Sequence, residues 1–165
     1  MDAARVLRHL FATRWGTRRR FTPAVLARIE RALAQVESRH AGELRFAIET
    51  AFDLPDLWYG VTPRQRALQV FGHLGVWDTE GNNGVLVYVL MADRDVEIIA
   101  DRAIAARVPQ AGWDAVCREM EGHFRAGRFA EGSEAGIAAI GRLLAAHFPG
   151  GAGDRDEQPD RAVLL

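Results

Sequence analysis

Lysine is missing from this chain: all 21 basic side chains among its 165 residues are arginine. Every mechanism that needs a catalytic lysine is thereby excluded. Cysteine is nearly missing too. Cys117 stands alone, so an internal disulfide and a cysteine-based zinc site are both impossible, as suits a reducing compartment. Its helical spacing in Asp114-Ala-Val-Cys-Arg-Glu-Met predicts a buried core thiol. An excess of one charge is also lacking: 21 basic residues face 22 acidic ones, for a net −1, which argues against a dedicated nucleic-acid binder. No apolar run approaches the ~18 residues of a membrane span. The first thirteen residues carry Asp2, Arg5, Arg8 and His9, unlike the apolar core of a secretory signal. A cytoplasmic protein that does not span the membrane is expected.

What is present is enough apolar material, 48% of the residues, to build one domain with a sizeable core. Met1 to Thr13 can form a short amphipathic helix with Val6, Leu7, Leu10 and Phe11 on one side. Arg14 to Arg20 reads as a basic connector. Thr22-Pro23 and Thr62-Pro63 each offer an N-cap threonine followed by proline at the first helical position. The first of these helices runs through Val25, Leu26, Ile29, Leu33 and Val36 towards His40, and the second ends at Gly75. Between them, Glu43 to Thr50 alternates as a strand, and Ala51 to Val61 reads as a loop. Val85 to Met91 is a continuous apolar run of central-strand length. Asp93-Arg94-Asp95 turns tightly into a third strand, Val96 to Ala100. Helices follow over Trp113 to Arg125 and Ala130 to His147, and the Gly- and Asp-rich segment 149–165 is expected to be a disordered tail.

This order implies an α/β fold. The first two strands flank a helical crossover and should run parallel; the third should return antiparallel through the short turn. The result is a small mixed sheet between helices.

That topology sorts the candidate metal ligands into two groups. Asp78-Thr79-Glu80-Gly81-Asn82-Asn83-Gly84 places oxygen side chains at every second position, as loops that wrap a hard cation do. The match to an EF-hand fails, because Asn83 replaces its glycine and Val89 its closing glutamate. The bland alternative is a turn that satisfies its own backbone with Asx side chains. Asp101, ending the antiparallel third strand, returns to this edge, so Asp78, Glu80, Asn82, Asn83 and Asp101 form the first candidate cluster. Asp53, Asp93 and Asp95 form the second, at the opposite edge, one strand length of about 25 Å away at ~3.3 Å per residue.

Nucleophilic chemistry finds no pattern. Asp93-Arg94-Asp95-Val96 superficially matches the aspartate motif of haloacid-dehalogenase-type phosphatases, but Glu97 occupies the fifth position and the required lysine is lacking. Ser38 and Ser133 lack the spacing of a nucleophile elbow. His123 stands where a Cys-x5-Arg phosphatase loop needs arginine. No lysine-bearing phosphate loop or dinucleotide fingerprint occurs. The histidines, at 9, 40, 73, 123 and 147, read as helix-surface or helix-end residues. Catalytic residues are therefore unassigned. A separate feature is the arm 1–20, with six arginines against Asp2. Arg14, Trp15, Arg18, Arg19 and Arg20 suit contact with an anionic membrane or an acidic partner.

At WDTEGNNGVLVYVL the chain meets a known pattern. With Glu37, Gly42-Glu43, Asn83-Gly84, the Asp93-Arg94 turn, FRAGRF (Phe124 to Phe129) and a glycine-punctuated last helix, Phe21 to Phe148 resembles the TPM domain family of thylakoid-lumen, photosystem-associated and membrane proteins. The resemblance implies a three-layer α/β/α sandwich over 21–148. It also implies a non-catalytic binding or accessory module regulated by a divalent cation, calcium rather than magnesium. A LemA-type or other membrane-associated protein is the implied partner, met at the inner face of the membrane. The alternative it implies is a metal-dependent, acid phosphatase-like phosphohydrolase. Asp101-Arg102-Ala103 departs from the family's Gly-x-Gly after the third strand.

Overall fold

The computed structural model describes residues 2–149 and 158–165. A parallel pair forms the middle of its sheet. Strand β1 (Glu43–Glu49) lies beside β2 (Gly84–Leu90), with Glu43 opposite Gly84 and Glu49 opposite Leu90. Strand β3 (Asp95–Ala100) returns antiparallel along β2, with Leu90 opposite Asp95. Every residue of β1 and β2 is buried, which is why β2 reads as an unbroken apolar run and not as an alternating one.

Helices cover both faces. Leu44, Phe46, Ile48, Val85, Val87 and Val89 point into the larger core. There they meet α3 (Pro23–Glu37), α7 (Gln110–Arg125) and α8 (Phe129–His147) through Ile29, Leu33, Met120, Ile137 and Ile140. Ala47, Leu86, Tyr88 and Leu90 point the other way, onto α4 (Leu54–Trp58) and α5 (Pro63–His73) through Leu57, Ala67 and Val70. The α/β/α sandwich is therefore as expected. Each large apolar side chain in these layers contributes about 1.5–3 kcal/mol by leaving water.

The threonine caps at 22 and 62 act as the sequence predicts. Thr22 takes the Val25 N–H, and Thr62 with Gln65 forms a reciprocal capping box.

Four features depart from the sequence reading. Arg14–Arg20 is a helix, α2, following α1 (Ala3–Phe11); the Thr13 hydroxyl caps it by accepting the Gly16 N–H. Three consecutive arginines look like a connector, yet arginine is a good helix former once a cap is in place. A short α4 interrupts the loop 51–61, and α6 (Arg102–Ala105) follows β3, capped by Asp101. The tail is the fourth. Residues 150–157 lie outside the described residues, but 158–165 is ordered, and β4 (Val163–Leu164) pairs parallel with β1 opposite Ala47 and Ile48. The polar composition before it hid the apolar Ala162–Leu165, which closes an otherwise open edge. Sheet order is thus β3-β2-β1-β4.

Candidate functional site

The two edges predicted from topology are real, and they are built differently. At the start of β2, the loop 77–83 folds back so closely that a Cβ on Gly84 would lie 1.9 Å from the Val76 carbonyl oxygen. Only glycine fits there. Asn83 is held by its own N–H, which donates to Thr79 Oγ1 at 3.1 Å, and by its side-chain amide, which donates to the Ala41 carbonyl. Its Oδ1 is buried with no hydrogen-bond donor among the described residues.

Asp101 is brought alongside by its N–H, which donates to the Gly84 carbonyl at 2.8 Å. Its Oδ1 accepts the Arg102 N–H at 2.6 Å, while Oδ2 is buried and again without a donor among the described residues. Asn82, in the left-handed region at φ 49°, accepts from Arg102 Nη2 at 3.1 Å. Asp78 and Glu80 are exposed on the loop. Asn82, Asn83 and Asp101 are thus gathered at one strand edge, with Asp78 and Glu80 on the flanking loop. Two buried acceptor oxygens without donors suit a hard cation, which takes oxygen ligands. No three histidine, cysteine, aspartate or glutamate side chains cluster as a metal cage among the described residues.

The second edge is occupied by the chain itself. Asp93 Oδ2 accepts from Arg5 Nε at 2.9 Å, and its Oδ1 lies 3.1 Å from His9 Nε2 and 3.4 Å from Arg8 Nη2. Burial opposes ionisation of Asp93, but Arg5 and His9 outweigh it and hold its carboxyl below the ordinary carboxylate range. Asp95 behaves oppositely. Burial, then the carboxylates of Glu97, Glu121 and Asp93, push it up to about 6, and its Oδ1 is buried without a donor among the described residues. Asp53 sits exposed at the N-cap of α4 and makes no capping bond.

His9, in the last turn of α1, and His40, just past the end of α3, are helix-end residues as the sequence suggests, but both are buried, at 3% and 2% exposure. The Phe52 N–H donates to His9 Nδ1 at 2.9 Å. The proton of a neutral His9 therefore belongs on Nε2, which lies 3.1 Å from Asp93 Oδ1 but makes no hydrogen bond of good geometry among the described residues. The signal for this clamp was Arg5 and His9 at i, i+4, one face of α1 aimed at the acidic turn.

Beside that clamp lies an open cavity of about 590 Å³ between the arm, the end of β2 and the α7–α8 turn. Arg8, Arg20, Arg94 and Arg125 line it, and no carboxylate among the described residues does. Of the predicted contact residues, Trp15 and Arg20 also face it, while Arg14 and Arg18 border a smaller hollow with Leu164 and Leu165. Arg14, Trp15, Arg18, Arg19 and Arg20 are all exposed; Arg19 covers the Trp15 ring at 4.6 Å.

The nucleophile candidates have other tasks. Ser133 is buried and donates to the Phe129 carbonyl at 2.9 Å, and Ser38 donates to the Gln35 carbonyl. Half-buried Cys117 packs against the larger core, as a structural thiol would. Burial, then Glu97 and Glu121, push its thiol up to about 12.

Among solved structures, the chain is similar to the BA42 protein of the psychrophilic bacterium Bizionia argentinensis. Identity is 29% and the TM-score 0.77, over 87% of this chain and 94% of that one. It also shares the fold of an N-terminal domain from P. gingivalis, at 21% identity and TM-score 0.61, over 77% and 78% of the two chains. No curated protein matches it. The model of the TPM domain matches residues 18–143, which spans both edges of the sheet, and the chain belongs to the TPM domain family.

Proposed function

We propose that this protein is a non-catalytic binding and accessory module whose Asn83–Asp101 edge is tuned by a divalent cation, calcium in preference to magnesium. The pair of donorless buried oxygens, Asn83 Oδ1 and Asp101 Oδ2, supports this reading. A buried carboxylate oxygen without a partner costs several kcal/mol unless something neutralises it. Calcium accepts irregular oxygen cages of amide, carboxylate and carbonyl groups, whereas magnesium demands a near-ideal octahedron. Asp78, exposed on the same loop, can swing in to complete such a cage. Binding would then fix the loop 77–83 against α6 and set the shape of that end for a membrane-associated partner such as a LemA-type protein. The setting would be cytoplasmic, at the inner face of the membrane.

The test is calcium titration of the chelator-treated full chain, followed by backbone amide shifts. Shifts confined to 78–84 and 101–103, abolished by Asp101→Asn, are expected. Shifts at 53 and 93–95 instead would assign the cation to the other edge. No shift at millimolar calcium removes the cation from the function.

One observation favours a second reading, a metal-dependent phosphohydrolase. Arg102 reaches Asn82 at the same edge, so an arginine is available to balance phosphoryl charge where lysine is lacking, beside carboxylates that can hold a metal. Turnover of p-nitrophenyl phosphate that needs added metal and falls by orders of magnitude in Asp101→Asn would establish it. Activity indifferent to both chelator and substitution would reject it.

A further inference from the structure

We propose that the cavity between the N-terminal arm and the end of β2 binds the phosphate of an anionic phospholipid, presented by a bilayer whose interface takes up the apolar rim of the arm. It lies at the sheet end opposite the Asn83–Asp101 edge, so the proposal does not depend on the cation reading.

Three observations carry it. The first is charge. Arg8, Arg20, Arg94 and Arg125 line a cavity of about 590 Å³ to which no carboxylate among the described residues contributes. Among the described residues, Arg94 and Arg20 have no carboxylate partner, and Arg8 and Arg125 hold theirs only at 3.4 Å. The volume is that of a small-molecule site. The second is backbone. Arg94 adopts φ 55°, a left-handed position costing an ordinary residue free energy that glycine or asparagine would save. An arginine in that region is a strained residue, of the kind that clusters at binding sites. The third is the rim. Phe11 and Trp15 line the cavity yet are 79% and 68% exposed, and Leu7 and Leu10 beside them are more than half exposed.

Aromatic and leucine side chains flanked by arginines form the composition of a surface that lies in a membrane interface. An anionic headgroup supplies the charge complement, and each arginine near such a surface strengthens binding by roughly fivefold. A soluble anion would satisfy the arginines but leave the exposed rim in water, which favours the bilayer as its source.

The full chain, kept in EDTA so that the cation edge does not contribute, is sedimented with vesicles of phosphatidylcholine and of phosphatidylcholine mixed with phosphatidylglycerol. Binding to the mixed vesicles alone is expected, weakening with salt. Arg94→Gly/Arg125→Gln should lower it by roughly 25-fold. The glycine also relieves the left-handed strain, so misfolding cannot account for the loss. Phe11→Ser/Trp15→Ser should abolish it at unchanged charge. Arg39→Gln/Arg142→Gln, exposed at the far end of α3 and on α8, should bind as the parent does. Equal sedimentation with both vesicles, or equal losses in the cavity and control pairs, would overturn the proposal. So would hexyl phosphate shifting the Arg94 and Gly127 amides of a protein that no vesicle binds, since the site would then serve a soluble amphiphile.

Discussion

His9 and Asp93, 84 positions apart in the chain, meet at 3.1 Å through Nε2 and Oδ1. That contact, with Arg5 on the other carboxylate oxygen, ties the arm to the hairpin that ends β2. Asp93→Asn should detach the arm and cost about 2 kcal/mol. This is less than the ~3–5 of a fully buried pair, because Arg8 reaches water. The carboxyl titrates below its ordinary value in the folded state. Its stabilisation is therefore complete above about pH 4 and is lost as pH falls through the lowered value. Hydrogen exchange of residues 3–11 measures this. Unchanged protection in the variant at pH 6 would mean that apolar contacts hold the arm without the clamp.

Two residues further on, Asp95 contributes in the opposite sense. Its carboxyl is raised to about 6, so the folded state prefers the protonated form. Its contribution is most favourable below about pH 4, the unfolded value, and declines as pH rises through about 6. Asp95→Asn should leave stability unchanged near pH 4 and raise it by about 1–2 kcal/mol at pH 7, after discounting for solvent. Urea titrations at the two pH values test it; equal midpoint changes at both would show that Asp95 is not repelled by Glu97 and Glu121.

The returning segment 158–165 depends on a second acidic contact. Burial, then a hydrogen bond with Asp160, raise the Glu37 carboxyl to about 9, while Glu43 Oε2 accepts the Gln158 N–H and Arg45 donates to the Pro159 carbonyl. The proton between Glu37 and Asp160 is present at neutral pH and lost towards pH 9, so attachment of the segment should weaken across that range. Exchange of the Leu165 amide, which donates to the Ile48 carbonyl at 2.9 Å, should therefore accelerate beyond its intrinsic base catalysis. Asp160→Asn, which needs no shared proton, should flatten the response. A variant that keeps the full pH dependence would sink this account.

How much of this was legible follows from which signals are local. Thr22-Pro23, Thr62-Pro63 and the apolar run of β2 act within a few residues, and the structure has each where the sequence put it. Strand direction follows from connection length, which is why the sequence alone puts Asp101 beside Asn83. The clamp on Asp93 is only half legible: Arg5 and His9 share one face of α1 at i, i+4, but nothing in residues 1–20 says which surface that face packs onto. The four arginines of the cavity come from four separate segments, and no spacing rule gathers them. Segment 158–165 escapes a sequence reading because composition averages its apolar end with the polar stretch before it.

Gly84 is where local and long-range constraints coincide, and its substitution is the sharpest test of the first edge. Its carbonyl accepts the Asp101 N–H at 2.8 Å, and its missing side chain lets the Val76 carbonyl cross within contact. In Gly84→Ala the new methyl would meet backbone, which cannot rotate away as a side chain can. Either β2 shifts or the loop 77–83 lifts off, and overpacking of this kind costs about 1–3 kcal/mol or more. A lifted loop would also separate Asn83 from Asp101. The variant should therefore melt at lower temperature and lose any calcium-dependent amide shifts. Asn83→Ala should lose the shifts with a smaller stability change, because it removes an oxygen ligand without adding a clash. A Gly84→Ala protein with parent-like melting would show that the loop yields freely, and the close crossing at Val76 would then have no part in holding the edge together.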